Sequence, residues 1–294
     1  MIENISKVLE KNLCDHCLGR LYSRLFKGMT NEQRGKIIRS FTAMMIDAKV
    51  IDNPNIELSN FYGFKFRNEI KTKKPGKCWL CSNLFDKLDN FANKANKKIK
   101  NLEFDSFLVG SRFKNEIFRK EEKLWEITGI ELVEPIKSEI NRELGKKIWE
   151  LVKKPVNFKK PDILIIADFV KNDVEIKINS LFVLGYYKKL KRGIPQSKWG
   201  TPGKYKTSVQ EIIAKPFMKA TKGKNNSFHG YGREDIDAKC LDWRPFVFEV
   251  IEPIKRKLKL KKIEKQINKS NKVKVKILKF CDRNTVRRVK TEKG

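Results

Sequence analysis

Acidic residues are in short supply in this chain of 294 residues: 35 Asp and Glu stand against 66 Lys and Arg, a formal net charge of +31. There are only two histidines, which excludes a histidine-built metal site or a catalytic triad resting on several imidazoles. No stretch approaches the roughly 20 apolar residues that span a bilayer. The opening residues MIENISKVLEKNL carry acids and no long apolar run, unlike a secretory leader. Six cysteines are too few for a disulfide framework at this length. No Gly-rich phosphate loop is present either. Gly200-Thr-Pro-Gly203-Lys204 lacks the required spacing, and no G-x-G-x-x-G follows a strand. The expectation is a soluble, cytoplasmic protein without membrane contact and without an organic cofactor.

What is abundant is positive charge. A surface this basic attracts polyanions, and nucleic acid is the partner that rewards it most, because Lys and Arg displace counterions from phosphates. From Lys255 to Gly294 there are 17 basic and 3 acidic residues. A second basic stretch, Tyr186-Tyr187-Lys188-Lys189-Leu190-Lys191-Arg192, mixes rings with cations, as recognition of unstacked RNA requires.

Forty per cent hydrophobic residues are enough for a core, and the length suggests two domains. Thr30-Asn31-Glu32-Gln33 fits a capping box, followed by Ile37, Ile38, Phe41, Met44 and Met45 at helical spacing. Residues 79–99 are predicted helical, with Leu80, Leu84, Leu88 and Phe91 on one face. A strand is expected at 104–109 and helices near 115–128 and 136–152. The run LVKKPVNFKKP (151–161) marks a domain boundary. Beyond it the pattern turns to strands at 161–169, 174–178, 246–250 and 273–280, with helices at 209–214 and 257–268. Loops are expected at 185–206, which includes Trp199, and at 225–242.

Cys14-x-x-Cys17 and Cys78-x-x-Cys81 are separated by 60 residues. Two such pairs complete a tetrahedral zinc site with no open position, so the metal would be structural. His16 could replace a ligand; Cys240 and Cys281 have no such partner. The densest chemical segment is Phe228-His-Gly-Tyr-Gly-Arg233-Glu234-Asp235-Ile-Asp237. If the segment is extended, Arg233 and Asp235 project to one side and can pair. The oriented carboxylate could then act as nucleophile, base or charge stabiliser, while a purely structural salt bridge is the competing reading.

The block HGYGREDIDAKCLDWRPFVFEV (229–250) resembles the catalytic motif of tRNA pseudouridine synthases of the "Pus-ten" type, which carry an N-terminal THUMP-containing domain. CDHCLGRLYS (14–23), CWLC (78–81), LVGSRF (108–113), LWEITGIELVEPIKSEINRELGKKI (124–148) and SLFVLGYYKKLKRGIPQSKW (180–199) are similar to the same family, in its order. The resemblance implies isomerisation of uridine to pseudouridine in the TΨC loop of tRNA, at nucleotides 54 and/or 55. It places the catalytic aspartate on Asp235 and its pairing arginine on Arg233, and the expected substrate contacts are Arg233, Arg244 and, from the basic stretch, Lys188, Lys189, Lys191 and Arg192. It also places structural Zn²⁺ on Cys14, Cys17, Cys78 and Cys81. The implied fold is α+β: a zinc-bearing, THUMP-like α/β domain over 1–155, then an incomplete synthase-type, mainly antiparallel sheet with helices over 156–294. Tyr231, Lys239-Cys240 and Asp242-Trp243 depart from the family pattern. The family continues beyond the point matching Gly294, so either a separate polypeptide completes the catalytic domain or the chain is a fragment or non-catalytic tRNA binder.

Overall fold

The computed structural model describes residues 4–198 and 204–291. Trp199 and the Gly200–Gly203 stretch lie outside the described residues. The elements in chain order are α1 (Ile5–Val8), α2 (Asp15–Gly19), α3 (Asn31–Asp47), α4 (Leu88–Ile99), β1 (Phe107–Arg112), α5 (Asn115–Thr128), α6 (Ile136–Val152), β2 (Ile163–Asp168), β3 (Asp173–Ile178), β4 (Leu181–Lys189), α7 (Val209–Thr221), β5 (Asn225–Gly230), β6 (Cys240–Ile251), α8 (Leu260–Asn268), β7 (Val273–Cys281) and α9 (Arg283–Thr291). Together they make a mixed α+β fold with a three-stranded sheet, β1-β2-β3, and a four-stranded sheet, β5-β6-β4-β7. The chain divides into two compact units. One comprises Met1–Lys97, Val109–Lys153 and Ile165–Glu175; the other comprises Lys98–Leu108, Lys154–Leu164 and Ile176–Gly294.

In the first unit, α3 starts on the expected capping box: Thr30 Oγ1 accepts from the Gln33 amide at 3.1 Å and Gln33 Oε1 accepts from the Thr30 amide at 2.9 Å. Its buried side, however, is polar. Asn31, Arg34, Gly35, Arg39 and Thr42 face inward, while Ile37, Phe41 and Met44 are half or more exposed. The cause is a backbone-to-backbone crossing with α2. A Cβ on Gly35 would meet the Asp15 carbonyl at 2.0 Å, and one on Gly19 would meet the Asn31 carbonyl at 1.8 Å. Arg39 then fills the contact, donating to Asp15, to the Leu13 carbonyl at 2.6 Å and to the Asn60 carbonyl at 2.8 Å. The helix expected over 79–99 begins only at Leu88, after a turn and a 3-10 segment (Leu84–Lys87). α5 and α6 run as expected, because their apolar residues keep helical spacing without a breaker.

In the second unit, β4 pairs antiparallel with both β6 and β7, and β5 with β6. The segment 185–189 is therefore strand, not loop, and so is 225–230. One face of this sheet carries Val183, Tyr187, Phe246, Phe248, Val250, Val273 and Val275, packed under α7 and α8. Gly185 is where the chain must come close, since a Cβ there would meet the Phe246 ring at 2.9 Å. α7 runs on through Pro216 to Thr221, with Phe217 and Thr221 fully buried. On the opposite face Val286 and Val289 of α9 cover Val247, Phe182 and Leu184. α9 was not expected from the sequence. Nothing in the fold confirms the expected incompleteness of this sheet. Among the described residues, no helix is long and apolar enough to cross a membrane.

Candidate functional site

Two constellations carry chemistry, one in each unit. In the first, Cys14 caps α2 and Cys17 lies one turn inside it. Cys78 and Cys81 sit on a tight turn whose residues Ser82 and Asn83 adopt left-handed φ of 49° and 62°. The Ser82 amide donates to the Cys78 carbonyl at 2.8 Å, and Asn83 Oδ1 accepts from the Cys78 amide at 2.8 Å. The four sulfurs lie within 4.8 Å of one another, and all four cysteines are free thiols. Cys14 Sγ is 3.6 Å from Cys81 Sγ. Thiolates at about 2.3 Å from a tetrahedral ion are separated by roughly 3.8 Å, so the cluster has the size of a four-sulfur metal site.

Burial pushes the Cys17 thiol up, whereas hydrogen bonds from Cys14, Cys17 and Cys81 hold Cys78 well below its ordinary value. A dication removes that conflict by favouring the thiolate at every position. Beside it, fully buried Arg20 donates to Cys17 Sγ at 3.5 Å and faces Glu121 at 3.8 Å and Glu139 at 3.7 Å. His16 takes no place among the sulfurs. Its Nδ1 is 2.9 Å from Glu139, and its ring stacks on Phe85 with centroids 3.9 Å apart. These four cysteines could hold a metal ion.

The second constellation is the loop between β5 and β6. Gly232, at φ +63°, turns the chain just before Arg233 in a way a side chain would resist. Among the described residues no ion pair joins Arg233 to Asp235, and both are exposed. The paired carboxylate is the one between them. The Glu234 side chain is 3% exposed and lies 3.2 Å from Arg244. Its Oε2 accepts from the Tyr187 hydroxyl at 2.7 Å and from Gln196 at 2.8 Å, while Oε1 is buried with no hydrogen-bond partner among the described residues. Burial, reinforced by the adjacent Glu234 carboxylate, raises the Tyr187 phenol far above its ordinary range. Gln196 also holds the Gly232 carbonyl at 3.0 Å.

Lys189 corrects one expected substrate contact. Lys189 is fully buried, because the in-out alternation of β4 turns it to the core side. Its ammonium donates to the carbonyls of Ile194 at 3.1 Å, Asp235 at 2.7 Å and Ile236 at 3.0 Å. All three of its protons are used, so it grips the loop backbone and cannot reach a phosphate. Arg244 is half-buried, and its guanidinium reaches the Tyr231 carbonyl at 2.5 Å, Cys240 and Glu234. Lys191 and Arg192 are exposed, and Lys188 is half-buried. The Glu234 network escaped sequence reasoning, although β4 alternation over Val183, Gly185, Tyr187 and Lys189 carried the signal for the buried lysine.

Relatives supply the name of the family. The family models described as "Pus10 THUMP domain, archaeal" and "Pus10, C-terminal" match residues 91–168 and 182–294. The protein named tRNA pseudouridine synthase Pus10 in Pyrococcus furiosus is 40% identical over 293 residues, 99% of this chain and 69% of that relative. The chain belongs to the Pus10 family. The Pus10 protein of Methanopyrus kandleri is 35% identical, over 99% of this chain and 72% of its own length. That of Methanocaldococcus jannaschii is 37% identical, over 91% and 64%. The THUMP match runs from within α4 through β2, and the C-terminal match contains the whole Glu234 network and Asp235. The cysteine cluster lies outside both matched stretches. These matches give no support for a separate completing polypeptide.

Proposed function

We propose that the chain is a tRNA pseudouridine synthase that acts in the cytoplasm on uridine in the TΨC loop, at nucleotides 54 and/or 55, with Asp235 as the catalytic carboxylate. The reading divides it into a THUMP-containing RNA-binding part over 1–155 and a catalytic part over 156–294, with structural Zn²⁺ on Cys14, Cys17, Cys78 and Cys81. Membership of a family whose relatives are named for this reaction supports it. The observation that carries the assignment of the carboxylate is local. Asp235 presents an exposed side chain on a loop whose backbone is held at Asp235 itself by Lys189 and one residue earlier by Glu234.

The reaction needs no external electron or group donor. The C1′–N1 bond of the nucleoside breaks, the detached uracil turns, C5 bonds to C1′, and the proton on C5 leaves. A carboxylate held in place can assist by attack on the sugar or ring, or by abstracting a proton. The uridine must leave its stack to be reached, at a cost of a few kcal/mol that contacts to the flanking nucleotides offset. Exposed Arg233, Lys191 and Arg192 are suited to those phosphates.

The test is tritium release from C5-labelled uridine in a tRNA transcript, with modified positions mapped by primer extension. The wild-type chain forms pseudouridine in the TΨC loop, and Asp235→Ala forms none while still binding tRNA. Product from the alanine variant at the wild-type rate would refute the catalytic assignment. Salt-sensitive binding without product in either protein would make the chain a tRNA binder only.

A further inference from the structure

The sheet of the second unit has an open face that carries rings and lysines together. Along β4 the residues Val183, Tyr187 and Lys189 are buried on the core side, so Phe182, Leu184, Tyr186 and Lys188 project to the other. α9 packs over Phe182 and Leu184. Tyr186 and Lys188 continue the same face. Their partners across the ladder, Lys276 and Lys274 of β7, share it and are exposed. Among the described residues neither of these two lysines pairs with an acid.

On the other flank of Lys188 the register of β6 slips. Tyr187 faces Arg244 and Lys189 faces Cys240, so Leu241, Asp242 and Trp243 together stand opposite Lys188. The bulge is closed at its mouth by Arg244, which reaches Cys240 at 3.6 Å and is itself fixed to Glu234 and the Tyr231 carbonyl. Bulges beside functional loops re-aim side chains. Here the result is a tryptophan that is 44% exposed, beside a leucine that is 61% exposed, with the Lys188 ammonium 4.9 Å from the indole centroid. A ring held this far out on an anchored bulge offers an open π-face on which a base can stack. Asp242 is the one acid in the bulge.

From this juxtaposition we infer that the open face is a binding site for unpaired RNA, in which a nucleobase stacks on Trp243 and the flanking phosphates lie on Lys188, Lys274 and Lys276. Lys274 and Lys276 are about 7 Å apart along the strand, comparable to successive phosphates of an extended chain. Stacking on a ring is tolerant of base identity, so the site takes a class of ligand, single-stranded ribonucleotide, rather than a sequence. The inference rests on the reading of the chain as an RNA-acting protein and extends its contact surface to residues outside the catalytic loop.

The experiment is fluorescence polarisation of the full chain with a labelled uridine octamer across a salt series, with an RNA duplex of equal length as the control. Trp243→Ala weakens octamer binding by about tenfold, and Trp243→Phe restores most of it. Replacing Lys274 and Lys276 together by Gln lowers the slope of log affinity against log salt by about 1.4, two single-strand phosphate contacts. Octamer binding unchanged in Trp243→Ala would overturn the inference, as would equal losses on octamer and duplex, since a duplex offers no free base. Product formation by Asp235→Ala tests the catalytic reading alone, so that reading can fail while this one stands.

Discussion

Glu234 and Arg244 form the ion pair of the loop, 3.2 Å apart, and through it the residue before Asp235 is tied to the strand after it. The same carboxylate oxygen accepts from Tyr187 and Gln196. Removing it takes the acceptor from the Tyr187 hydroxyl and leaves Gln196 and Arg244 only their other acceptors, the Gly232 and Tyr231 carbonyls. Glu234→Ala is therefore expected to destabilise the protein by about 2–4 kcal/mol. Glu234→Gln keeps an acceptor but loses the charge, and should cost less than half as much. Denaturant unfolding of both variants measures the difference. Equal stability of wild type and alanine variant would show that the network contributes nothing.

Lys189 offers a sharper separation of positioning from binding. Its ammonium satisfies three backbone carbonyls, two of them from Asp235 and Ile236. Lys189→Met takes away the ammonium that the Ile194 carbonyl faces and leaves the Asp235 and Ile236 carbonyls only the Ala238 and Gly193 amides. The expected cost is about 3 kcal/mol. Because the lysine is buried, tRNA affinity and its salt slope should stay near wild type while product formation falls at least tenfold. A variant with normal turnover and a reduced salt slope would return Lys189 to the RNA-contacting set.

The difference between expectation and structure follows from which forces the sequence displays. α5 and α6 were readable because an unbroken apolar stripe and a charged opposite face leave one solution. The pair of C-x-x-C motifs was readable because spacing alone fixes two thiolates close together. Asn225-Asn-Ser-Phe-His-Gly230 has no β-branched residue and so looks like loop in the sequence; its strand is made by pairing with β6, which is a tertiary cause. α9 was missed because only Val286 and Val289 face inward among seven other residues that are mostly polar or basic. Arg233 and Asp235 are both exposed with Glu234 turned inward between them, but the inward carboxylate is the one that finds the ion pair, with Arg244. Burying Arg20, Arg39 and Lys189 ran against the rule that such residues stay outside, and in each case carbonyls, carboxylates or a thiol meet the charge.

The cysteine cluster predicts a metal dependence confined to one part of the chain. Metal analysis of protein purified without chelator should give about one zinc per chain. Chelation should loosen the region around α2 and α3, since a shared ion would tie the two pairs across 60 residues where the protein itself supplies the Asn12 carbonyl to the Trp79 amide at 2.7 Å and the His16–Phe85 stack. Cys78→Ser should bind no zinc and expose the α2–α3 amides to hydrogen exchange, while amides of β4 and β6 keep their protection. A metal-free protein with full protection throughout would refute the zinc site.

Alkaline pH should destabilise the fold in a defined window. Burial raises the Tyr22 phenol from 10.0 to about 12, and its hydroxyl has no partner among the described residues. Burial likewise raises the Cys281 thiol from 9.0 to about 11. Both groups bind their proton more tightly when folded. Their contribution is complete below the unfolded values and is lost as pH rises through the folded ones, so stability should fall between about pH 9 and 12. Asp282 has the opposite sign: its hydrogen bond from Lys160 lowers it to about 2, so its contribution is present above 3.8 and is lost as the pH falls toward 2. Two measurements check the alkaline limb. The rate of Cys281 alkylation, isolated by peptide mapping, should rise with a midpoint near pH 11. Replacing Tyr22 by Phe, which has no proton to lose, should shift the alkaline unfolding midpoint upward; an unchanged midpoint would show that Tyr22 ionisation does not limit the fold.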